Sequence, residues 1–322
     1  MVLDLISIVI GLAGLYFGGN WLVEGASRLA RSLGLSTLIV GLTVVAIGTS
    51  TPELLVSVTA ALQGNSDIAI GNVVGSNIAN IGIILGATAL ITPIGVHISL
   101  IRREIPIMIA VTILCILLLR DGQVSRIDGA VLIVGTIVFT GLMIYLVQRD
   151  EQTPEFAKVE AEVESHAEPP ISARQRLIEL GRIGIGILVL VIGARLTVDG
   201  ATSIARAIGI SDLVIGITLV AFGTSLPEFA TSIAGALKKE SDIVVGNIVG
   251  SNIYNILLIL GMTAVIRPVN VDQRVIDVDS FVMLGFAVLL LPLVITNREL
   301  NRREAVMLLV LYGGFLLWTF TS

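Results

Sequence analysis

The chain alternates long apolar runs with short polar breaks, and the apolar runs have the length of membrane-spanning helices. A helix needs about 20 apolar residues to cross the hydrocarbon core of a bilayer. Stretches of strict apolar–polar alternation are missing, so a membrane β-barrel is not expected. We therefore predict an all-α polytopic membrane protein with ten transmembrane helices, at residues 3–23, 36–62, 67–91, 104–119, 128–147, 182–200, 211–237, 242–266, 279–296 and 304–321.

One hydrophilic stretch divides these runs into two sets of five. It covers residues 148–181 and is rich in Glu and Pro, a composition typical of a solvated linker. An ion-sensing regulatory segment is the alternative, although the stretch is too short for a folded sensor domain. The predicted organisation is a first five-helix repeat at 1–147, an acidic linker at 148–181 and a second five-helix repeat at 182–322.

The distribution of Lys and Arg predicts how the protein sits in the membrane. Of the 20 basic residues, fourteen fall on the side of the linker and six on the other side. Because Lys and Arg accumulate in cytoplasmic loops, the linker is predicted to be cytoplasmic and both termini external. The expected location is the cell membrane, with several passes through the lipid bilayer.

Composition agrees with this class and excludes others. Hydrophobic residues make up 55% of the chain and charged residues 14%, against about 25% charged residues in soluble proteins. The net charge of −5 argues against a nucleic-acid partner. The single cysteine, Cys115, excludes an internal disulfide and a cysteine-based metal cluster. Sequence patterns of an intramembrane hydrolase are missing at span depth, so we do not expect an enzyme.

The two sets of five helices share a repeated sequence. Residues 34–86 and 209–261 are identical at 30 of 53 positions without a gap, at a constant offset of 175 residues. Five predicted spans separate each motif from its copy, and because five is odd the copy enters the membrane from the opposite side. This arrangement predicts two inverted repeats with a substrate site between them, near the bilayer midplane. The repeated motifs are GTSTPE at 48–53 with GTSLPE at 223–228, and GNVVGSN at 71–77 with GNIVGSN at 246–252.

Glu53 and Glu228 are the candidate charged groups of that site. A carboxylate at the bilayer centre costs about 2.5–3.5 kcal/mol on insertion scales, so two at matched positions need an explanation. One interpretation is a pair of protonated glutamates that join helices, but it does not account for the preceding prolines. Pro52 and Pro227 lack an N–H and free a carbonyl one turn earlier. Such a break is tolerated in a membrane around a cavity or inside protein.

The side chains around each glutamate supply oxygen atoms. Carboxylates, freed carbonyls, hydroxyls and amide oxygens together form the ligand set that hard cations such as Ca²⁺ prefer. Two carboxylates carry a charge of −2, which neutralises one Ca²⁺ or two monovalent cations. His97 and His166 fall in loops, so a zinc or copper site is disfavoured. The flanking hydroxyl residues are Thr49, Ser50, Thr224 and Ser225.

The second motif combines small and polar residues. Its glycines are spaced GxxxG at 71–75 and 246–250, which is typical of close helix packing. The polar residues beside them either bridge helices or take part in cation binding. Their repetition opposite the glutamate motifs favours cation binding or support of the glutamates. These residues are Ser76, Asn77, Asn80, Ser251, Asn252 and Asn255.

The paired motifs resemble the two α-repeats of the Ca²⁺/cation antiporter superfamily, and within it the prokaryotic sodium/calcium exchangers. The resemblance implies that Glu53 and Glu228 are ligands shared by Ca²⁺ and Na⁺. It also implies that the first and sixth helices slide against the other eight. Some members have Asp where this chain has Asn255, which lowers the negative charge available here. The further ligands that the resemblance implies are the hydroxyls of Thr49, Ser50, Ser76, Thr224, Ser225 and Ser251 and the carbonyls of Ala46 and Ala221, with Asn80 and Asn255 at the centre.

These observations lead to a functional hypothesis. The chain is expected to be a secondary antiporter that exchanges Ca²⁺ for Na⁺ by alternating access. Ca²⁺ and Na⁺ are then its substrates, and neither a cofactor nor an obligate protein partner is expected. Ca²⁺/H⁺ exchange at the same glutamates is the first alternative. A passive cation channel is the second, although an inverted repeat with buried charge argues against it.

Overall fold

The computed structural model describes residues 1–33, 35–150, 172–209 and 221–321, and this part of the chain is dominated by helices. Residues 151–171, with His166 and most of the predicted linker, and residues 210–220 lie outside it. The helices are α1 (Val2–Ser32), α2 (Thr37–Thr49), α3 (Thr51–Gln63), α4 (Ser66–Ile91), α5 (residues 100–119), α6 (Arg126–Asp150), α7 (Ala173–Ala207), α8 (Ala221–Thr224), α9 (Leu226–Leu237), α10 (Ser241–Ile266), α11 (Val275–Ile295) and α12 (Arg302–Thr321).

The membrane prediction is supported by the length and composition of these helices. Among the described residues, six helices are long and apolar enough to cross a bilayer, namely α1, α4, α6, α7, α10 and α11. The pair α2 and α3 adds a seventh when it is counted as one bent span. The predicted runs 104–119 and 304–321 coincide with α5 and α12. The predicted run 211–237 lies partly outside the described residues.

The predicted linker is shorter in the structure than the sequence indicated. α6 continues to Asp150, and α7 begins at Ala173. The Ser172 hydroxyl accepts a hydrogen bond from the backbone N–H of Gln175, and the Gln175 side chain accepts one from the backbone N–H of Ser172. This reciprocal cap starts α7 ahead of its apolar run. Residues 173–181, which the sequence analysis assigns to the linker, are therefore helical.

Several helices contain a π-helical segment, in which backbone hydrogen bonds join residues five apart. The pattern of apolar residues does not indicate these segments. Single π-turns inside helices are frequent at functional sites. In α4 and α10 this segment begins at the same motif position, Asn80 and Asn255 respectively. The segments are Gly41–Val45, Asn80–Leu85, Leu100–Glu104, Asn255–Leu260 and Val275–Asp279.

Four strands of two residues each join the loops of the two halves. β1 (Ile94–Gly95) pairs antiparallel with β4 (Glu299–Leu300), and β2 (Gln123–Val124) pairs antiparallel with β3 (Val269–Asn270). β1 precedes α5 and β2 follows it, so the two pairs connect the halves at both ends of that helix. Strands this short have no alternating pattern, which is why the sequence did not predict them.

α1 and α7 pack against each other through glycines. A Cβ atom on Gly11 would lie 2.7 Å from the carbonyl oxygen of Gly193, and one on Gly18 would lie 2.9 Å from that of Gly186. Small residues let membrane helices approach this closely. The buried apolar residues of this pair belong to a second cluster, which also includes Val40 and Val45 of α2, Ala234 of α9 and Ile243 of α10. α1 and α7 thus pack closely on each other and contact the rest of the protein through this cluster.

α4 and α10 occupy the centre of the larger core. Both carry the GNxxGSN motif, and every residue from Ile243 to Ile256 in α10 is buried. A helix that is apolar on all sides is typical of such a central position. The packing role predicted for GxxxG is confirmed in α10, because a Cβ on Gly250 would lie 2.6 Å from the carbonyl oxygen of Leu42. In α4 a Cβ on Gly71 or Gly75 would meet no described atom within 4 Å, so that pair shows no such contact among the described residues. The α10 copy of the second motif is therefore held against α2.

Candidate cation-binding site

Two helix breaks bring the glutamates into the protein centre. α2 ends at Thr49 and α3 begins at Thr51 with a bend of 42° between them. In the other half, Ser225 separates α8 from α9. Each new helix has its proline in the first turn, where the missing N–H is tolerated. The breaks predicted from Pro52 and Pro227 are confirmed by this geometry.

Glu53 and Glu228 are both buried, with 1% of each residue exposed. Each carboxylate is held by a serine from the opposite half of the chain. Ser50 Oγ donates to Glu228 Oε1 at 2.9 Å, and Ser225 Oγ donates to Glu53 Oε1 at 3.1 Å. The motif sequences alone did not indicate that each glutamate would be oriented by the other motif.

The serines of the second motif complete this hydroxyl network. Ser251 Oγ lies 3.0 Å from Ser50 Oγ, and Ser76 Oγ lies 3.4 Å from Ser225 Oγ. A serine hydroxyl has one proton to donate. When Ser50 gives its proton to Glu228, Ser251 must be the donor in the Ser50–Ser251 contact. The four candidate serines therefore lie in two hydroxyl pairs, with Ser50 and Ser225 at the carboxylates and Ser251 and Ser76 behind them.

The threonines of the first motif contact asparagines that sequence reasoning left without a role. Thr49 Oγ1 donates to Asn247 Oδ1 at 3.1 Å, and Thr224 Oγ1 donates to Asn72 Oδ1 at 3.3 Å. Asn72 Nδ2 also donates to the backbone carbonyl of Glu53 at 3.0 Å. The signal that could have found Asn72 and Asn247 is their identity at matched positions of the repeat.

The four other candidate asparagines form a second set of hydrogen bonds between the two halves of the chain. Asn80 Nδ2 donates to Asn252 Oδ1 at 3.3 Å, and Asn255 Nδ2 donates to Asn77 Oδ1 at 2.9 Å. The amide nitrogens of Asn77 and Asn252 lie 3.6 Å from the sulfur atoms of Met283 and Met108 respectively. Asn77 and Asn252 thus turn the side chains of Asn80 and Asn255 so that their amide oxygens stay available.

Four oxygen atoms at the centre of this arrangement have no hydrogen-bond partner among the described residues. They are Glu53 Oε2, Glu228 Oε2, Asn80 Oδ1 and Asn255 Oδ1. Burying a polar group without a partner is costly, and native proteins rarely leave one uncompensated. A cation bound between these oxygens would compensate all four. In the described part of the chain, groups of three or more His, Cys, Asp or Glu side chains that could hold a metal are absent, so the negative charge comes from the glutamate pair.

The two alanines named for their carbonyls lie next to the helix breaks. The Ala46 carbonyl accepts the backbone N–H of Ser50 at 3.0 Å and lies 3.4 Å from Thr49 Oγ1. Ala221 begins α8 directly after the undescribed residues 210–220. Away from the site, Cys115 is buried as a free thiol. His97 is exposed in a loop, as predicted.

The contacts of the site come in pairs related by the sequence repeat. When 175 is added to one partner and subtracted from the other, the Ser50–Glu228 contact becomes Ser225–Glu53, and the Thr49–Asn247 contact becomes Thr224–Asn72. The serine pairs, the asparagine pairs and the two methionine contacts obey the same rule. Each motif therefore meets the other half of the chain in the same way.

Comparison with known proteins identifies the family of the chain. The family model described as sodium/calcium exchanger protein matches residues 3–145 and 178–321. The chain belongs to this family. The exchanger is therefore a multi-pass membrane transporter of the cation-antiporter class and not an enzyme, and Na⁺ and Ca²⁺ are the substrates of its family.

The exchanger is similar to relatives along its whole length. It is 41% identical to the putative antiporter CaxA of Alkalimonas amylolytica, over 100% of both chains. It is 31% identical to the sodium/calcium exchanger MaX1 of Methanosarcina acetivorans, over 99% of both chains. Its structure is similar to that of the sodium-calcium exchanger NCX_Mj soaked with 2.5 mM Na⁺ and 10 mM Sr²⁺, with a TM-score of 0.84, 34% identity and 98% of each chain covered.

Proposed function

We propose that the exchanger moves Ca²⁺ and Na⁺ in opposite directions by alternating access, with Glu53 and Glu228 as ligands shared by both ions. The observation that supports this most is the set of four buried oxygens without partners, two from carboxylates and two from amides. Hard cations bind oxygen ligands of this kind. The proposal assigns the exchanger's transported ions to the space between these four atoms.

Competition between Ca²⁺ and Na⁺ for the two carboxylates couples the movement of one ion to that of the other. A site charge of −2 is neutralised by one Ca²⁺ or by two Na⁺, so one kind of ion must leave before the other can bind. An empty site carries two unpaired buried charges, which are unfavourable in a low-dielectric environment. The loaded forms therefore change conformation more readily than the empty form, and ion leak is suppressed.

The remaining candidate residues complete the coordination. Ca²⁺ takes six to eight oxygen ligands, and the four unpartnered oxygens account for part of that number. In the proposal the hydroxyls of Ser50 and Ser225, with those of Ser76 and Ser251 behind them, supply or orient further oxygens. Thr49, Thr224 and the carbonyls of Ala46 and Ala221 are assigned to Na⁺ by resemblance to the family.

The proposed architecture is ten spans in two inverted five-helix repeats. The paired contacts of the site support it, because equivalent residues of the two halves face each other across the centre. Repeats of this kind place the substrate site near the midplane. The proposal keeps the linker, which lies between α6 and α7, on the cytoplasmic side and both termini outside, as the distribution of basic residues predicts.

Radiolabelled Ca²⁺ uptake into proteoliposomes tests the proposal. Vesicles loaded with Na⁺ should take up Ca²⁺, and vesicles loaded with choline should not. Glu53→Gln should abolish uptake, while Glu299→Gln, at an exposed carboxylate in β4, should leave it unchanged. Uptake that ignores Na⁺ but follows a proton gradient would assign the glutamates to Ca²⁺/H⁺ exchange instead. Uptake missing under every gradient would contradict calcium transport.

A further inference from the structure

Two buried methionines lie beside the asparagines of the central site at matched positions of the repeat. Met108 belongs to α5 and Met283 to α11, and they are 1% and 2% exposed. Each sulfur lies 3.6 Å from the amide nitrogen of an asparagine in the other half, Asn252 for Met108 and Asn77 for Met283. A buried methionine commonly fills an irregular apolar gap. Contact with a site amide at both matched positions indicates a further role.

The sulfur of Met108 decides which way the Asn252 amide is turned. A thioether sulfur can accept a hydrogen bond but has no proton to donate, so the amide nitrogen of Asn252 faces it. Asn252 Oδ1 then points to the other side, where it accepts from Asn80 Nδ2 at 3.3 Å. Asn80 is thereby left with its Oδ1 free of partners among the described residues. The chain from Met108 through Asn252 to Asn80 thus offers an oxygen, and not an N–H group, to a cation.

The two matched chains of contacts are not equally secure. Asn77 Nδ2 donates to the backbone carbonyl of Asn252 at 3.1 Å in addition to its contact with Met283. In the described part of the protein, Asn252 Nδ2 has the Met108 sulfur as its one acceptor. Loss of the Met283 sulfur would leave Asn77 oriented by the carbonyl. Loss of the Met108 sulfur would allow the Asn252 amide to turn over.

We propose that Met108 is a positioning residue that, through Asn252, holds the amide oxygen of Asn80 toward the transported cation. The inference rests on the proposed function, which assigns the cation to the space between the four unpartnered oxygens. Hard cations prefer oxygen to sulfur, so the methionine acts through the asparagine and not as a ligand. In the ion-free protein the Asn80 oxygen has no partner to lose. The orientation therefore matters when a cation is bound.

Met108→Leu tests this role, because it removes the sulfur and nearly keeps the volume of the side chain, an exchange that cores tolerate. Titrating Ca²⁺ against the melting temperature in detergent measures the apparent affinity without any need for transport. The apparent Kd for Ca²⁺ should rise about fivefold, the factor that corresponds to one ordinary hydrogen bond. In EGTA the variant should be as stable as its control. A lower melting temperature in EGTA with an unchanged Kd would report packing alone and would overturn the proposal.

Two other methionines supply the comparison. Met143 of α6 is also 1% exposed, so Met143→Leu is the matched control and should keep the wild-type affinity for Ca²⁺. Met283→Leu should raise the Kd less than Met108→Leu does, because Asn77 keeps the backbone carbonyl of Asn252 as an acceptor. A larger effect of Met283→Leu, or an equal effect of Met143→Leu, would contradict the assignment to Met108.

Aspartate at position 80 separates the orienting role from every other effect of the methionine. A carboxylate presents an oxygen in either orientation, so it needs no orienting contact. In an Asn80→Asp background, Met108→Leu should therefore no longer weaken Ca²⁺ binding. In an Asn255→Asp background, which alters the other chain of contacts, the effect should persist. Effects of independent residues add, so an equal effect of Met108→Leu in both backgrounds would overturn the proposal.

The binding measurement separates this result from that of the proposed function. Weaker Ca²⁺ binding by Met108→Leu, together with absent Na⁺-dependent uptake by the wild type, would support the positioning role and contradict the exchange activity. Na⁺-dependent uptake, together with equal Ca²⁺ affinities of Met108→Leu and the wild type, would support the exchange activity and contradict the positioning role. A wild type whose melting temperature does not respond to Ca²⁺ would contradict both.

Discussion

Ser50 and Glu228, which are 178 residues apart in the chain, share a hydrogen bond of 2.9 Å at the centre of the protein. The bond crosses between the two halves, and its counterpart joins Ser225 to Glu53 at 3.1 Å. Each half therefore orients the carboxylate of the other. Because the second oxygen of each carboxylate has no partner among the described residues, this bond also decides which oxygen remains for a ligand.

Removing one of these serines should weaken cation binding. In Ser50→Ala the Glu228 carboxylate loses its donor, and a lost hydrogen bond at a buried group costs about 1–3 kcal/mol. We expect the Ca²⁺ concentration for half-maximal uptake to rise about tenfold. Ser225→Ala should have an effect of similar size, because the geometry around Glu53 is equivalent. Titrating Ca²⁺ against the initial uptake rate measures both.

Thr51→Ala is the matched control for the serine variants. Thr51 lies next to Ser50, but its hydroxyl bonds the Ile47 carbonyl at an exposed position. Its apparent Ca²⁺ affinity should equal that of the wild type. Equal affinities of Ser50→Ala and Thr51→Ala would contradict the role assigned to the cross-half hydrogen bond.

Replacing a glutamate should preserve the stability of the ion-free protein and remove its stabilisation by Ca²⁺. Ca²⁺ that binds the native state raises the free energy of unfolding by mass action, by about 2.7 kcal/mol at a concentration 100 times Kd. The melting temperature rises as a result. Glu228→Gln removes a buried charge, so in EGTA its melting temperature should equal or exceed that of the wild type. Addition of Ca²⁺ should stabilise the wild type and leave Glu228→Gln unchanged. Thermal unfolding in detergent, followed by intrinsic fluorescence, measures both effects.

A melting temperature of Glu228→Gln far below the wild-type value in EGTA would contradict the view that the empty site is unfavourable. Glu299→Gln should keep the full Ca²⁺ response, because that side chain is exposed in β4.

The glycine contacts between α1 and α7 should be sensitive to a single methyl group. A Cβ on Gly186 would lie 2.8 Å from the backbone nitrogen of Leu22 and 3.0 Å from the carbonyl oxygen of Gly18. Gly186→Ala must therefore push the helices apart, at a cost of about 1–3 kcal/mol. Gly184, two residues earlier, has no described atom within 4 Å of such a Cβ. Gly184→Ala should be neutral or stabilise α7 by up to about 1 kcal/mol. Melting temperatures of the two variants compare these effects, and equal values would contradict the close packing.

Lys239 adopts a backbone conformation that suits glycine. Its φ is 60°, and the matching residue of the first half is Gly64 with φ 87°. A left-handed conformation costs about 1–2 kcal/mol for a residue with a Cβ. Lys239→Gly should therefore raise the melting temperature. Lys239→Ala removes the same charge and keeps the Cβ, so it should give no such gain. A higher melting temperature for alanine than for glycine would show that the charge of Lys239, and not its backbone, governs stability here.

The sequence by itself determined the class of protein, the helix breaks and the candidate residues of the proposed site. Apolar runs report the length of a span, proline removes an N–H wherever it stands, and a repeat at constant offset pairs Glu53 with Glu228 without any structure. Each of these signals acts within one helix or compares two segments directly, which is why residue types and spacing were sufficient.

Only the tertiary structure decided which side chains meet. The pairing of Ser50 with Glu228, the asparagine network, the loop strands and the unequal docking of α1 on α9 all join residues far apart in the chain. The residue types and spacings are nearly identical in the two halves. Sequence patterns therefore cannot show how the packing of one half differs from that of the other. The difference arises because the two halves offer two similar surfaces to one helix pair. In this structure Gly19 of α1 packs against Ala230 of α9, while the matching residue of α3, Leu55, is exposed.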